Sequence, residues 1–188
     1  VFLAKENNTN PVGVNYLEKI QLPVVASTIG AMLAGVDAVI MAAGIPKQMP
    51  KLIRDLSQGK IGEYKINVDG ALSGEEFFIR LDPKEILGQD IKLHAPAFLA
   101  IISSNTLASF LLKDPEARPD GFVVELPSAG GHNSPPRGTP KRDESGQPIY
   151  ADRDFPDFEK MTSAGLPYWI AGGFGKPDML KNALELGA

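Results

Sequence analysis

The sequence predicts an α/β protein whose strands run parallel and are separated by helices. Short apolar runs recur along the chain, each of the length of a strand buried on both faces. A helical pattern follows most of these runs, and small or polar residues come directly after them. Repeated strand–helix units build either a closed (β/α)8 barrel or an open doubly wound sheet, and both remain open at this point.

Four apolar runs are predicted as buried strands, and an earlier strand is predicted to lead to Asn15. Residues 22–37 fit a strand followed by a helix, or helix over most of their length. The helix predicted after the first buried strand has one apolar face and ends at Gly59, and the helix predicted near residue 106 has Asn105 or Thr106 as its N-cap. The buried strands are residues 38–42, 98–102, 122–125 and 168–171, and the other helices are predicted within 157–165 and 176–188.

Two stretches interrupt the strand–helix repeat. A turn-rich segment separates two alternating runs between about residues 63 and 81, which predicts a β-hairpin insertion. Residues 133–154 are rich in proline, glycine and charges of both signs, and loops of this length are typically functional or mobile. The basic residues of this second insertion are expected to form a solvated surface: Arg137, Lys141, Arg142 and Arg153.

Composition excludes several classes of protein. The chain has 188 residues, a net charge of −4 and no cysteine, so disulfides, zinc–thiolate sites and a cysteine nucleophile are excluded. Without a basic stripe or a long apolar run, the sequence predicts neither a nucleic-acid nor a membrane partner. No signal-peptide pattern is present, which predicts a cytoplasmic protein. The chain opens on Val1 and closes on a helical pattern, so we expect a segment of a longer protein.

Residues that could bind a ligand follow the predicted strands. Ligands of both candidate architectures bind beyond the carboxyl ends of the strands. Glycine allows close approach of the backbone to a ligand, and a glycine-rich turn that opens a helix presents N–H groups to phosphate. The strand-end residues are Ala43, Gly44 and Ile45; Ser103, Ser104 and Asn105; Ser128, Gly130, Gly131 and His132; and Gly172, Gly173 and Gly175.

His132 is the main catalytic candidate in the sequence. Its imidazole titrates near neutral pH, which suits a general base, although an exposed loop residue is the simpler reading. His94 precedes a strand and is predicted to be structural or exposed. Tyr168 and Trp169 are expected in the core or against a helix.

Three segments resemble the nitronate monooxygenase family, formerly called 2-nitropropane dioxygenases. They are "GVDAVIMAAGIP", "GFVVELPSAGGH" and "LPYWIAGGFGKPDMLKNALELGA". Members of this family are FMN-dependent (β/α)8 TIM barrels. The resemblance extends from Val12 to Ala188 and implies that residues 1–188 form a single, partial FMN-binding barrel domain. It would contain the second to sixth barrel strands and carry the insertions at 63–81 and 133–154.

The resemblance also implies roles for individual residues. His132 matches the catalytic base, which takes a proton from the carbon next to a nitro group. The remaining positions imply contacts with FMN: Gly130 and Gly131 with the flavin, Gly172 and Gly173 with the phosphate, Asn15 with the flavin, Glu125 with the ribityl hydroxyls and Gly44 with the ring pocket. No metal site is implied.

The function expected from the resemblance is that of a flavoprotein monooxygenase. It would oxidise nitronates or nitroalkanes with oxygen to a carbonyl compound and nitrite; homo-oligomerisation remains open. One alternative is an FMN-dependent enoyl reductase of fatty-acid or polyketide synthesis. Another is a non-catalytic module that binds a phosphate ligand, or a partner through the proline-rich residues 135–148.

Overall fold

The computed structural model describes residues 1–130 and 134–188. Its strands are β1 (Gly13–Leu17), β2 (Ala38–Ala42), β3 (Gly62–Ile66), β4 (Phe77–Leu81), β5 (Ala97–Ile102), β6 (Gly121–Glu125) and β7 (Tyr168–Ala171). Its α-helices are α1 (Val24–Leu33), α2 (Met49–Ser57), α3 (Pro83–Leu87), α4 (Asn105–Lys113), α5 (Phe158–Ser163) and α6 (Pro177–Glu185). Short 3-10 helices cover Leu3–Lys5 and Asp152–Asp154.

The central sheet contains five of these strands, in the order β1-β2-β5-β6-β7. β1 pairs with β2 in parallel, with Asn15 opposite Ile40. β6 pairs with β7 in parallel, with Glu125 opposite Ala171. The predicted α/β class with a mainly parallel sheet is therefore confirmed.

The chain divides into two compact units. The first consists of residues 1–99 and 114–119, and the second of residues 100–113 and 120–188.

Two helices and a hairpin contribute to the core of the first unit together with β2. The predicted apolar face of α2 is buried. Of the two alternatives predicted for residues 22–37, the structure has helix over most of the stretch, beginning at Val24. The buried residues of α1 recur with the period of a helix. The residues buried on these two helices are Val24, Val25, Thr28, Ile29, Ala31 and Met32 on α1, and Met49, Leu52, Ile53 and Leu56 on α2.

The predicted hairpin is present as an antiparallel pair of β3 and β4. It packs on the two helices at Gly62, where a Cβ atom would lie 2.8 Å from both Leu56 Cδ2 and Val25 Cγ1. A larger residue there would push the hairpin off α1 and α2, because closely packed atoms leave no room for a methyl group.

Tyr168, at the start of β7, belongs to the core of the second unit. Tyr168 is 3% exposed, and its ring stacks on Phe158 with centroids 6.1 Å apart. Its hydroxyl donates to the carbonyl of Leu186, just beyond α6. For the next residue the first of the two predicted positions, the core, is wrong: Trp169 is 51% exposed. Successive residues of a strand face opposite ways, so burial of Tyr168 turns Trp169 outward.

The start of α4 also differs from the prediction. Ser104, rather than Asn105 or Thr106, caps the helix, because its hydroxyl accepts from the backbone amide of Leu107 over 3.3 Å. The side chain of Asn105 instead exchanges two hydrogen bonds with the backbone of Asp157, of 2.9 and 2.8 Å. This exchange joins the start of α4 to the start of α5.

Across both described stretches of the chain, none of the helices has the length and apolar character needed to span a bilayer.

Candidate functional site

A cavity of about 180 Å³ lies in the second unit, where β5 and β6 end. Ser103 and Ser104 follow β5 directly, and Glu125 is the last residue of β6. All three were predicted at the ends of strands, and the cavity brings them together. It is lined by Ser103, Ser104, Glu125, Leu126, Pro127, Ser134, Pro135, Arg137, Tyr150 and Asp154.

Residues 134–154 form one wall of this cavity and are held by their own contacts. The hydroxyl of Tyr150 donates to the carbonyl of Ser134 over 3.1 Å. At the far end of the segment, Arg142 and Pro148 form an antiparallel bridge. Asp143 stabilises the turn between them, because its Oδ1 accepts from the backbone amides of Ser145 and Gln147, both at 2.9 Å. The segment is therefore folded upon itself, although its sequence has no regular periodicity.

Asp154 is a buried charged residue of the cavity wall. It is 8% exposed, and its two oxygens accept from the backbone amides of Ala151 and Arg137, each at 2.8 Å. These two hydrogen bonds, that of Ala151 first, lower the pKa of the Asp154 carboxyl below its usual value. The carboxylate is therefore ionised at neutral pH.

Arg137 is exposed, as predicted, and it also lines the cavity. Its Nε lies 3.6 Å from Asp154 Oδ1. The side chain is 48% exposed, so this ion pair contributes less than a buried one. Arg137 provides the cavity with hydrogen-bond donors of fixed geometry.

The glycine turn after β7 requires its glycines. Gly172 has a φ of +125° and Gly173 a φ of +84°, a region that side chains disfavour. A Cβ atom on Gly172 would lie 2.9 Å from Ser128 Oγ and 3.0 Å from the Ala129 backbone nitrogen. Ser128 donates from its hydroxyl to the carbonyl of Gly172 over 3.1 Å. The turn after β7 thus packs directly on the loop after β6.

α6 begins shortly after this turn without a side-chain cap. Lys176 is its N-cap residue and makes no capping hydrogen bond, and Pro177 follows in the first turn. The free N–H groups and the dipole of a helix N-terminus favour an anion. The glycine turn and α6 can therefore bind a phosphate group.

The first unit contains the other two predicted contacts. Asn15 is exposed in the middle of β1, beside an apolar pocket of about 240 Å³ that Tyr16 and Val24 also line. Gly44 lies just beyond β2, and the side chain of Glu18 covers it: a Cβ atom on Gly44 would lie 2.7 Å from Glu18 Cδ and 2.8 Å from its Cβ. Glycine is therefore needed at position 44 for a steric reason within this unit.

The predicted residues of the second unit are only partly brought together. Glu125 lies opposite Ala171, next to Gly172 and Gly173. Gly130 is exposed, and nothing lies within 4 Å of the place where its Cβ would be. Gly131 and the catalytic candidate His132 lie outside the described residues.

Three residues around the cavities were missed by sequence reasoning. Tyr150 and Asp154 line the cavity of the second unit, and Glu18 covers Gly44 in the first. Each has a partner that is distant in the sequence, although Asp154 also bonds nearby Ala151: its other partner, Arg137, lies 17 positions earlier. No local motif or periodicity signals such contacts.

Comparison of the chain with protein-family models, with curated proteins and with solved structures finds no match. The resemblance to nitronate monooxygenases therefore stays a prediction.

Proposed function

We propose that the chain is part of an FMN-dependent oxidoreductase of the nitronate monooxygenase type. In this proposal it oxidises nitronates or nitroalkanes with oxygen to a carbonyl compound and nitrite. The observation that carries the proposal is the glycine turn at Gly172–Gly173, between β7 and the uncapped start of α6. This is the arrangement in which parallel α/β proteins bind phosphate.

The strand order supports the barrel as the complete architecture. The sheet runs β1-β2-β5-β6-β7, so each new strand is added on the same side as the one before. A doubly wound sheet reverses direction at a switch point, whereas a barrel does not. The hairpin of β3 and β4 forms a sheet of its own and leaves this order intact.

The described residues fit the phosphate end of FMN. Gly172 and Gly173 carry no side chain at the turn, so a ligand oxygen reaches the backbone amides, and the dipole of α6 favours its charge. Glu125, next to this turn in the β6–β7 register, is suited to accept hydrogen bonds from ribityl hydroxyls. Bound FMN supplies the electron acceptor that none of the amino-acid side chains provides.

His132 is proposed as the base for neutral nitroalkanes. A ring nitrogen of its imidazole accepts the proton from the carbon next to the nitro group, which leaves the nitronate as the species to be oxidised. This assignment follows from the resemblance of residues 121–132 and from the titration range of histidine. A nitronate added as such has already lost that proton.

The experiment compares His132→Ala with His94→Ala, a matched change at the exposed second histidine. We expect His132→Ala to retain FMN, to lose turnover of a neutral nitroalkane by about 10²-fold or more, and to oxidise the preformed nitronate much better than the nitroalkane. His94→Ala should behave as wild type. Full nitroalkane turnover in His132→Ala would exclude His132 as the base.

The same preparation separates the rival functions. Consumption of NAD(P)H with an enoyl thioester, without nitronate oxidation, would identify the enoyl reductase. A protein that binds no FMN and oxidises neither substrate would support the non-catalytic module.

A further inference from the structure

We propose that Ser128 is a positioning residue that sets the direction of the Gly173 amide for the phosphate of the flavin. The proposal rests on the proposed function and extends it to a residue outside the glycine turn. Ser128 acts through the carbonyl of Gly172.

Ser128 lies in a short turn after β6 that contacts the end of β7 and the residue that follows it. The backbone amide of Leu126 donates to the carbonyl of Ala171 over 2.9 Å, and that of Ala129 donates to Leu126 over 2.9 Å. The Ser128 hydroxyl then donates to Gly172 over 3.1 Å. The loop after β6 therefore holds the turn after β7 by one side-chain hydrogen bond.

This hydrogen bond determines where the next amide points. The carbonyl of Gly172 and the N–H of Gly173 belong to one planar trans peptide, so they point in opposite directions. When Ser128 holds the carbonyl, the Gly173 N–H must point away from Ser128. The Gly173 amide makes no hydrogen bond to any described residue, and Gly173 is exposed.

A contact of this kind is needed because the turn consists of two glycines. A glycine pair at positive φ has wide conformational freedom, so the peptide between Gly172 and Gly173 can rotate when nothing holds it. An amide that is already oriented binds its ligand without the entropic cost of ordering. Ser128 supplies that order before the ligand arrives.

The test uses Ser128→Ala, which removes the hydroxyl, and Ser128→Thr, which keeps it. Ser163→Ala is the matched control, because the Ser163 hydroxyl also donates to a backbone carbonyl, that of Glu159, at 2.8 Å. Circular dichroism and thermal unfolding first establish that each variant folds. The binding of FMN and of riboflavin, which lacks the phosphate, is then titrated by flavin fluorescence.

We expect Ser128→Ala to weaken FMN binding about three- to tenfold, the effect of one lost hydrogen bond, and to leave riboflavin binding unchanged. Ser128→Thr and Ser163→Ala should bind both flavins as wild type does. Without any flavin, the NMR order parameter of the Gly173 backbone amide should be lower in Ser128→Ala alone, because the freed peptide rotates.

Three results would overturn the proposal. An unchanged order parameter of the Gly173 amide in Ser128→Ala would show that the hydroxyl does not hold the turn. Equal weakening of FMN and riboflavin binding would show that Ser128 does not act on the phosphate. If wild type binds neither flavin, the proposed function fails and the phosphate role of Ser128 fails with it. The NMR measurement needs no flavin and therefore distinguishes this case from the first.

Discussion

Asp154 accepts the backbone amide of Arg137 over 2.8 Å and so joins two residues that lie 17 positions apart. The same carboxylate accepts the amide of Ala151. One buried carboxylate therefore fixes two backbone amides of the segment 137–154, in addition to the Arg142–Pro148 bridge and the hydrogen bond from Tyr150 to Ser134.

Replacement of Asp154 by Asn is expected to open this segment. An amide side chain has one acceptor oxygen, so one of the two backbone amides loses its partner. Trypsin should cleave after Lys141 or Arg142 faster in Asp154→Asn than in wild type. Asp152→Asn, a change at an exposed neighbour, should leave the rate unchanged, and equal rates in all three proteins would show that Asp154 does not close the segment.

The same carboxylate predicts a dependence on pH. The amides of Ala151 and Arg137 lower the pKa of Asp154 in the folded protein, while the unfolded chain titrates near an ordinary aspartate value of about 3.9. The Asp154 carboxylate thus makes its full contribution to the stability of the folded protein above about pH 4. That contribution is lost as the pH falls through the lower, folded-state pKa. The melting temperature of wild type should fall more steeply than that of Asp154→Asn in this acid range. Parallel curves would contradict the assignment.

Gly172→Ala is expected to destabilise the protein by about 1–3 kcal/mol. The new Cβ would meet the Ala129 backbone, and alanine is strained at a φ of +125°. Gly175→Ala is the control, because no atom lies within 4 Å of its Cβ position and its φ is not positive. Urea unfolding measures both variants. If Gly172→Ala lowers the free energy of unfolding no more than Gly175→Ala does, the turn accommodates the added Cβ atom without strain.

Gly44→Ala tests the contact between Gly44 and Glu18. Overpacking against Glu18 should cost about 1–3 kcal/mol in the free energy of unfolding. The double variant Glu18→Ala with Gly44→Ala should recover much of that loss, because the atoms that clash are absent. If the two changes are simply additive, the side chain of Glu18 does not determine the need for glycine.

Tyr64→Phe is expected to stabilise the protein by about 1–3 kcal/mol. The Tyr64 ring is fully buried, and among the described residues its hydroxyl has no hydrogen-bond partner. Burial, and to a lesser extent the charge of Glu18, raises the pKa of this phenol, so the neutral hydroxyl is what phenylalanine removes. Tyr168→Phe should instead destabilise by about 1 kcal/mol, because it deletes the bond to Leu186. Destabilisation by Tyr64→Phe would reveal an internal water at its hydroxyl.

Local patterns were sufficient to predict most of the fold. The apolar runs became β2, β5, β6 and β7, and the one-sided helix became α2, because burial on two faces or on one leaves a clear period in sequence. Residues 22–37 also have apolar residues at a helical period. Many of these residues are β-branched or small and fit a strand equally well, so the pattern did not distinguish the two structures. In the folded unit α1 is a helix that packs against α2 and the hairpin, a context that a local pattern does not contain.

The candidate site was less predictable, for a physical reason. Strand-end residues such as Ser103 and Glu125 were found because topology brings the ends of parallel strands together. Arg137 and Asp154 were not, because their contact depends on the path of a long irregular segment. The direction in which Trp169 faces depends on its neighbour Tyr168, whose burial is a property of the folded unit.

The proposal that this chain belongs to an FMN enzyme is tested most directly by its absorbance. Purified protein, incubated with FMN and freed of excess ligand by gel filtration, should be yellow and absorb between ~350 and ~500 nm, since a bound cofactor carries its own spectrum. A preparation that is folded by circular dichroism and yet stays colourless would contradict the account.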